Sequence, residues 1–145
     1  MDNQLVFRQS ITIKATQAEV WEALTDPEIT PHFMFGCEAV SDWKVGSSLI
    51  WRGASDGVHY VVGQVVRFEP KSVLAFTAFD PNGEHEDIPE NYLTSTYSLS
   101  ETNGVTTVEV AQSGFSEAAK GEERYEKAGE SWTVVLNSLK ELLEQ

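Results

Sequence analysis

Apolar residues at Leu5, Phe7, Ile11 and Ile13, with Val6, Arg8 and Ser10 on the opposite face, predict a first strand over residues 5–14. The alternation slips near Gln9-Ser10, which predicts a bulge there. Thr16-Gln17-Ala18-Glu19 then spells a capping box, in which hydroxyl and carboxylate satisfy exposed amides at a helix start. Val20, Trp21, Ala23 and Leu24 form the buried side of that short helix. Asp26-Pro27-Glu28 predicts a second helix start, with Asp26 as cap and Pro27 where a missing N–H costs little. This second helix is expected to end between Phe33 and Gly36.

From Ala39 the pattern becomes a meander. Trp43-Lys44-Val45-Gly46 leads into Leu49-Ile50-Trp51-Arg52, and Ala54 to Gly57 supplies a turn. Tyr60–Phe68 and Val73–Phe79 read as strands on either side of the turn Glu69-Pro70-Lys71-Ser72. Tyr92–Ser100 and Val105–Gln112 flank Asn103-Gly104, the strongest hairpin signal in the chain. The period then changes. Tyr125, Ala128, Trp132, Leu136, Leu139 and Leu143 recur every three or four residues, as one face of a long amphipathic helix requires. Gly121 marks a break before it, and Gly129 inside it predicts close backbone packing, since glycine there costs about 1 kcal/mol. One strand, two short helices, about six further antiparallel strands and a long helix make a single α+β domain over residues 1–145. A curved sheet wrapped around the last helix would bury both.

Composition narrows the partners. With 41% hydrophobic and 23% charged residues the chain is ordinary globular protein. The net charge is −13, and residues 80–145 carry four basic against fourteen acidic side chains. Nucleic acid and anionic membrane both demand a concentrated positive face, so neither is expected as a partner. Cys37 is the only cysteine, which excludes an intramolecular disulfide and a multi-cysteine zinc site and reads as a buried thiol. The segment Met1-Asp2-Asn3-Gln4 lacks the charge and apolar run of a secretory signal, so the expected location is cytoplasmic.

Four stretches, taken in order, resemble a known family. They are Thr16 through Val20-Trp21-Glu22-Ala23-Leu24-Thr25-Asp26-Pro27-Glu28; Trp43-Lys44-Val45-Gly46; Gly63-Gln64-Val65 through Glu69-Pro70 to Leu74-Ala75-Phe76-Thr77; and Gln112-Ser113-Gly114-Phe115 through Gly129-Glu130-Ser131-Trp132 to Leu136-Asn137-Ser138-Leu139-Lys140. Together they resemble the START-like (SRPBCC) superfamily and, within it, the homologues of the activator of heat-shock-protein-90 ATPase. The resemblance implies a helix-grip fold, with a seven-stranded antiparallel sheet gripping the C-terminal helix around an internal cavity. In related superfamilies such cavities hold lipids, sterols, polyketides or plant hormones. The family has no universal catalytic residues to carry over. Two positions depart from the pattern: Gly46-Ser47 stands where many relatives have two glycines, and Gln112 where many have histidine.

Candidate chemistry is sparse. His32, His59 and His85 fall in separate segments without ligand spacing, and Glu84-His85-Glu86-Asp87 is an acidic loop with poor preorganisation, so no metal site is assigned. Asp80-Pro81-Asn82-Gly83 opens like a calcium loop but lacks the later glutamate spacing and reads as a turn. No G-x-S-x-G elbow, Walker loop or G-x-G-x-x-G occurs, and no catalytic residue or cofactor is assigned. Aromatic residues carry the most information. Trp51, Tyr60, Phe76, Tyr97 and Trp132 fall on the sheet and helix, Phe33 and Phe35 near the expected cavity mouth, and Leu136 on the gripped face. Ser95, Tyr97 and Gln112 are the expected polar contacts of a largely apolar pocket. No arginine or lysine cluster is expected near it, so the expected ligand is neutral or weakly polar. The five carboxylates, two prolines and one glycine of residues 80–90 suit a flap over the mouth. The expected function is therefore a binding module for a small apolar molecule. The alternatives are a protein that docks a chaperone and, less favoured, an enzyme acting inside the cavity. The sequence does not fix an oligomeric state.

Overall fold

The computed structural model describes residues 6–83, 86–88, 91–115 and 121–144. Its elements, in chain order, are β1 (Phe7–Ile13), α1 (Gln17–Thr25), β2 (Cys37–Ser41), β3 (Ser48–Gly53), β4 (His59–Glu69), β5 (Val73–Ala78), β6 (Leu93–Thr102), β7 (Val105–Ser113) and α2 (Gly121–Leu143). The seven strands form one antiparallel sheet in the order β1-β7-β6-β5-β4-β3-β2. This is the α+β helix-grip architecture that the periodicity and the resemblance imply.

Local chemistry explains where α1 starts and stops. The Glu19 amide donates to the Thr16 hydroxyl (3.2 Å), and the Thr16 amide donates back to the Glu19 carboxylate (3.0 Å), the reciprocal pair of a capping box. At the other end Asp26 is extended, as the residue before Pro27 must be, and the helix ends there. Val20, Trp21, Ala23 and Leu24 are buried, and the larger aliphatic side chains contribute about 1.5–3 kcal/mol each. The Gln17 amide donates to Glu101 (2.7 Å), which ties the helix start to β6.

The expected second helix is only a turn. Residues 27–29 form turns, followed by a single 3₁₀ turn at Thr30–His32. Thr30 is fully buried, and its hydroxyl accepts from the Ala39 amide (2.9 Å), so the segment is held against β2 rather than wound onward. Asp26 accepts from the Glu28 amide (2.8 Å) and so closes the turn at residues 27–29, while the 3₁₀ turn itself follows Ile29 and has no side-chain cap.

The expected bulge in β1 is also absent. β1 pairs with β7 without interruption from Phe7↔Gln112 to Ile13↔Thr106. Gln9 breaks the hydrophobic alternation because it lies half-buried on the same face as Phe7 and Ile11, where its carbonyl accepts from the Thr133 hydroxyl of α2 (3.3 Å).

The irregularities instead fall near the middle of the sheet, between Trp51 and Arg52 where β3 meets β4 and between Val65 and Arg67 where β4 meets β5. Gly63 is required beside them. A Cβ there would lie 1.7 Å from the Thr77 carbonyl oxygen, and the neighbouring Gln64 amide donates to the Thr77 hydroxyl (2.9 Å). Bulges bend and twist the strand that carries them, so these bend the β3–β5 side of the sheet. At the Asn103-Gly104 turn both residues have positive φ (52° and 79°), as a type I′ hairpin demands.

Helix α2 lies on the concave face. Ala128, Trp132, Val135, Leu136 and Leu139 are buried with Ile13, Leu24, Tyr97, Val108 and Val110 of the sheet and α1. Its last turn is latched to β1: the Lys140 ammonium donates to the Thr12 carbonyl (2.7 Å), and the Lys14 amide donates to Glu144 (2.8 Å). The neighbour of Gly129 is a side chain, not backbone, since a Cβ there would come 3.4 Å from the Phe7 ring.

Candidate functional site

Strand register places the polar and aromatic candidates in one row. Phe76 of β5 lies opposite Ser95 of β6, and Ser95 lies opposite Gln112 of β7. All three point to the concave side, beneath the N-terminal half of α2. Trp51 extends the aromatic floor, its ring 5.8 Å from Phe76. From above, α2 contributes a stripe at helical spacing: Arg124, Lys127, Ala128, Ser131, Trp132 and Val135. Met34 and Phe35, in the loop before β2, complete the rim. Between floor and helix is a cleft of about 330 Å³, at the lower end of the ~300–1,000 Å³ typical of small-molecule sites.

The floor's polar groups are joined to one another. The Trp132 indole N–H donates to the Gln112 side-chain carbonyl (3.2 Å), and the Gln112 amide donates to the Ser95 hydroxyl (2.8 Å). An indole can only donate, which fixes the orientation of the glutamine amide. All three residues are buried, so this relay supplies partners that water cannot.

Phe35, Trp51, Phe76, Ser95, Gln112 and Trp132 border this cleft. Tyr60 borders an adjoining hollow of about 400 Å³, with Met34, Phe35, Cys37, Trp51 and Val61. Phe33, Tyr97 and Leu136 border neither; each is packed into the core at 3% exposure or less. Tyr97 stands edge-on to the Trp132 ring at 5.6 Å. Burial pushes its phenol well up, and its hydroxyl has no hydrogen-bond partner among the described residues. Cys37 is buried, and burial first, then the Asp56 carboxylate, pushes its thiol up, which disfavours the thiolate a nucleophile needs. Tyr60 donates to Asp56, and that bond raises its phenol.

One expectation about charge is overturned. Arg124 and Lys127 both border the cleft, where the sequence leads one to expect no arginine or lysine cluster. The usable signal was spacing: Arg124 precedes Ala128 by four residues and Trp132 by eight, on the same stripe. Met34, Val61, Ala78, Leu93, Ala128, Ser131 and Val135 are the other wall residues that the sequence did not mark as site candidates.

The described residues of the 80–90 segment do not border the cleft. Asp87 and Tyr92 border a separate, more polar hollow of about 500 Å³ with Val62, Gln64 and Thr77. Tyr92 stacks on Phe79 at 4.9 Å and donates to Asp87. Glu84 and His85, half of the acidic motif weighed for metal binding, lie outside the described residues. Among the described residues no helix is long and apolar enough to cross a membrane.

Comparison with known proteins agrees with this architecture. No curated protein sequence matches. Among solved structures, the ChR145 protein of Cytophaga hutchinsonii is 34% identical with a TM-score of 0.80, over 99% of this chain and 97% of that one. The Aha1 dimer of Colwellia psychrerythraea shares 20% identity with a TM-score of 0.73, over 97% of this chain and 96% of that one. MLL2253 of Mesorhizobium loti shares 21% with a TM-score of 0.76, over 96% of each chain. The last two show the shared fold alone. Residues 14–144 match the model of the family described as activator of Hsp90 ATPase homolog 1-like protein. With nine-tenths of its length in that match and a START-like helix-grip fold, the chain belongs to the activator of Hsp90 ATPase homologue 1-like family.

Proposed function

We propose that the protein is a cytoplasmic binding module that holds a small, largely apolar molecule in the cleft between α2 and the sheet. The observation that carries this reading is the composition of the wall. Ten of its fifteen residues are apolar, and Trp51, Phe76 and Trp132 present rings to the space. Ligand sites are mostly apolar with a few placed polar groups, and removing about 100 Å² of apolar surface from water offers roughly 2.5 kcal/mol before the costs of association. Wall candidates for contact are Phe35, Trp51, Phe76, Ser95, Gln112 and Trp132, with Tyr60 at the adjoining hollow and Phe33, Tyr97 and Leu136 as the packing behind them.

Family membership favours a second reading, in which the protein docks a chaperone. Docking through exposed charge weakens with salt, whereas burial of an apolar body in the cleft does not. A reaction inside the cleft has less support, because among the described residues that border it the only titratable side chains are the cations Arg124 and Lys127, with no carboxylate, histidine or cysteine to act as base or nucleophile. Native mass spectrometry of freshly purified protein, followed by thermal-shift screening with aliphatic and aromatic compounds at low and high salt, tests the reading. A copurifying small molecule or salt-independent stabilisation supports it. No stabilisation by any compound moves the assignment to chaperone docking.

A further inference from the structure

Of ten lysines and arginines in a chain of net charge −13, two border the cleft, Arg124 and Lys127. Three residues apart, they share one face of α2. Arg124 is half-buried, and its Nη2 donates to the Asn91 carbonyl (3.1 Å), which holds the guanidinium at the edge of the space. Its Nη1 is buried and has no hydrogen-bond partner among the described residues. A buried donor without an acceptor is costly, and more so when it carries charge. Among the described residues near it on the same helix, the carboxylates of Glu123 and Glu126 are exposed and border none of the hollows. On the floor, Ser95, Gln112 and Trp132 are bonded to one another. The space thus has an apolar body and, at one end, two bordering cations, Arg124 and Lys127, the first with a buried Nη1 that no described residue satisfies.

We infer that the ligand is a small monocarboxylate with an apolar body, its carboxylate on Arg124 with Lys127 in support and its body against Trp51, Phe76 and Trp132. This rests on the cleft being the ligand site. The planar guanidinium fork matches a carboxylate, and such charge-assisted bonds are about twice as strong as neutral ones. One acid group suffices, because the field of thirteen net negative charges opposes a polyanion and, among the described residues, only two cations border the space.

Octanoate and octan-1-ol share a chain and differ in the head group, so isothermal titration of both at pH 7 isolates the head group. Wild type should bind octanoate about tenfold or more tighter than octan-1-ol, the ratio one charge-assisted hydrogen bond supplies. Arg124→Gln should bring the two affinities together without weakening octan-1-ol. Arg124→Lys, which keeps charge and loses the fork, should retain part of the preference, and Lys127→Gln should lower it only a few-fold. Circular dichroism confirms that each variant is folded. Equal affinities in wild type, or an unchanged ratio in folded Arg124→Gln, would overturn the inference while octan-1-ol binding leaves the cleft reading intact. If neither probe binds, the cleft reading fails and this inference with it.

Discussion

The two halves of α2 rest on the same sheet and do opposite things. From Leu136 onward the helix is sealed: Leu136 and Leu139 are fully buried, and the last turn is latched to β1 through Lys140 and Glu144. From Arg124 to Val135 the helix stands over a cleft instead, although Trp132 and Val135 are also largely buried. The difference lies below the helix. β1 and β7 run in unbroken register, whereas the β3–β5 side carries two register shifts and Gly63. The cleft borders Trp51, Val61, Phe76 and Ala78 of that bent side, and the rings there leave it unfilled. Where a ring borders open space is thus decided by the curvature of the backbone beneath it, not by the ring.

The sharpest way to break the comparison is to charge the sealed half. Leu136→Asp places a carboxylate at a fully buried position with no partner, and should cost more than about 4 kcal/mol or prevent folding. Thermal melting of the variant at the wild-type temperature would show that α2 is not gripped there.

Adding volume to each half contrasts them directly. Leu139 is fully buried in the sealed half, and Leu139→Phe should cost about 1–3 kcal/mol by overpacking. Ala128 borders the cleft, so Ala128→Leu should change stability by less than about 0.5 kcal/mol while abolishing octan-1-ol binding. Urea unfolding and titration calorimetry read the two effects. Equal destabilisation by both substitutions would mean that the two halves are packed alike.

Much of this contrast was beyond the sequence. The capping box at Thr16, the Asn103-Gly104 turn and the α2 stripe were legible because each is a local pattern with a local physical cause. The 3₁₀ turn at Thr30 was not, since the Thr30–Ala39 bond that holds it joins residues of different elements. Nor was the division of the rings into wall and core: Phe76 and Tyr97 lie on neighbouring strands with the same sheet face, yet only Phe76 meets the cleft. Arg124 carries no mark of its own in the sequence, and only its spacing from Trp132 connects it with the cleft.

The smallest expected effect sharpens the sealed end. The Lys140 ammonium first, then the Lys14 amide, hold the exposed Glu144 carboxyl below its ordinary value of 4.5. A group with a lowered folded pKa contributes stability that is fully present above the ordinary value and is lost as pH falls through the folded one. Glu144→Gln should therefore be slightly less stable than wild type at pH 7, and the gap should close in acid. Urea midpoints from pH 7 down to pH 3 check this. A gap that stays constant with pH would mean the latch owes nothing to the carboxylate charge.

The central claim is that a small molecule occupies the cleft under the N-terminal half of α2. The four tryptophans test it within one molecule. Trp51 and Trp132 border the cleft, while Trp21 and Trp43 pack against Phe68 on the far side of the core. Proton–nitrogen correlation spectra during a titration with octan-1-ol report all four indole N–H groups at once. The account predicts saturable shifts at Trp51 and Trp132, with Trp21 and Trp43 unmoved. Shifts of equal size at all four, or saturable binding that leaves Trp51 and Trp132 unmoved, would contradict it.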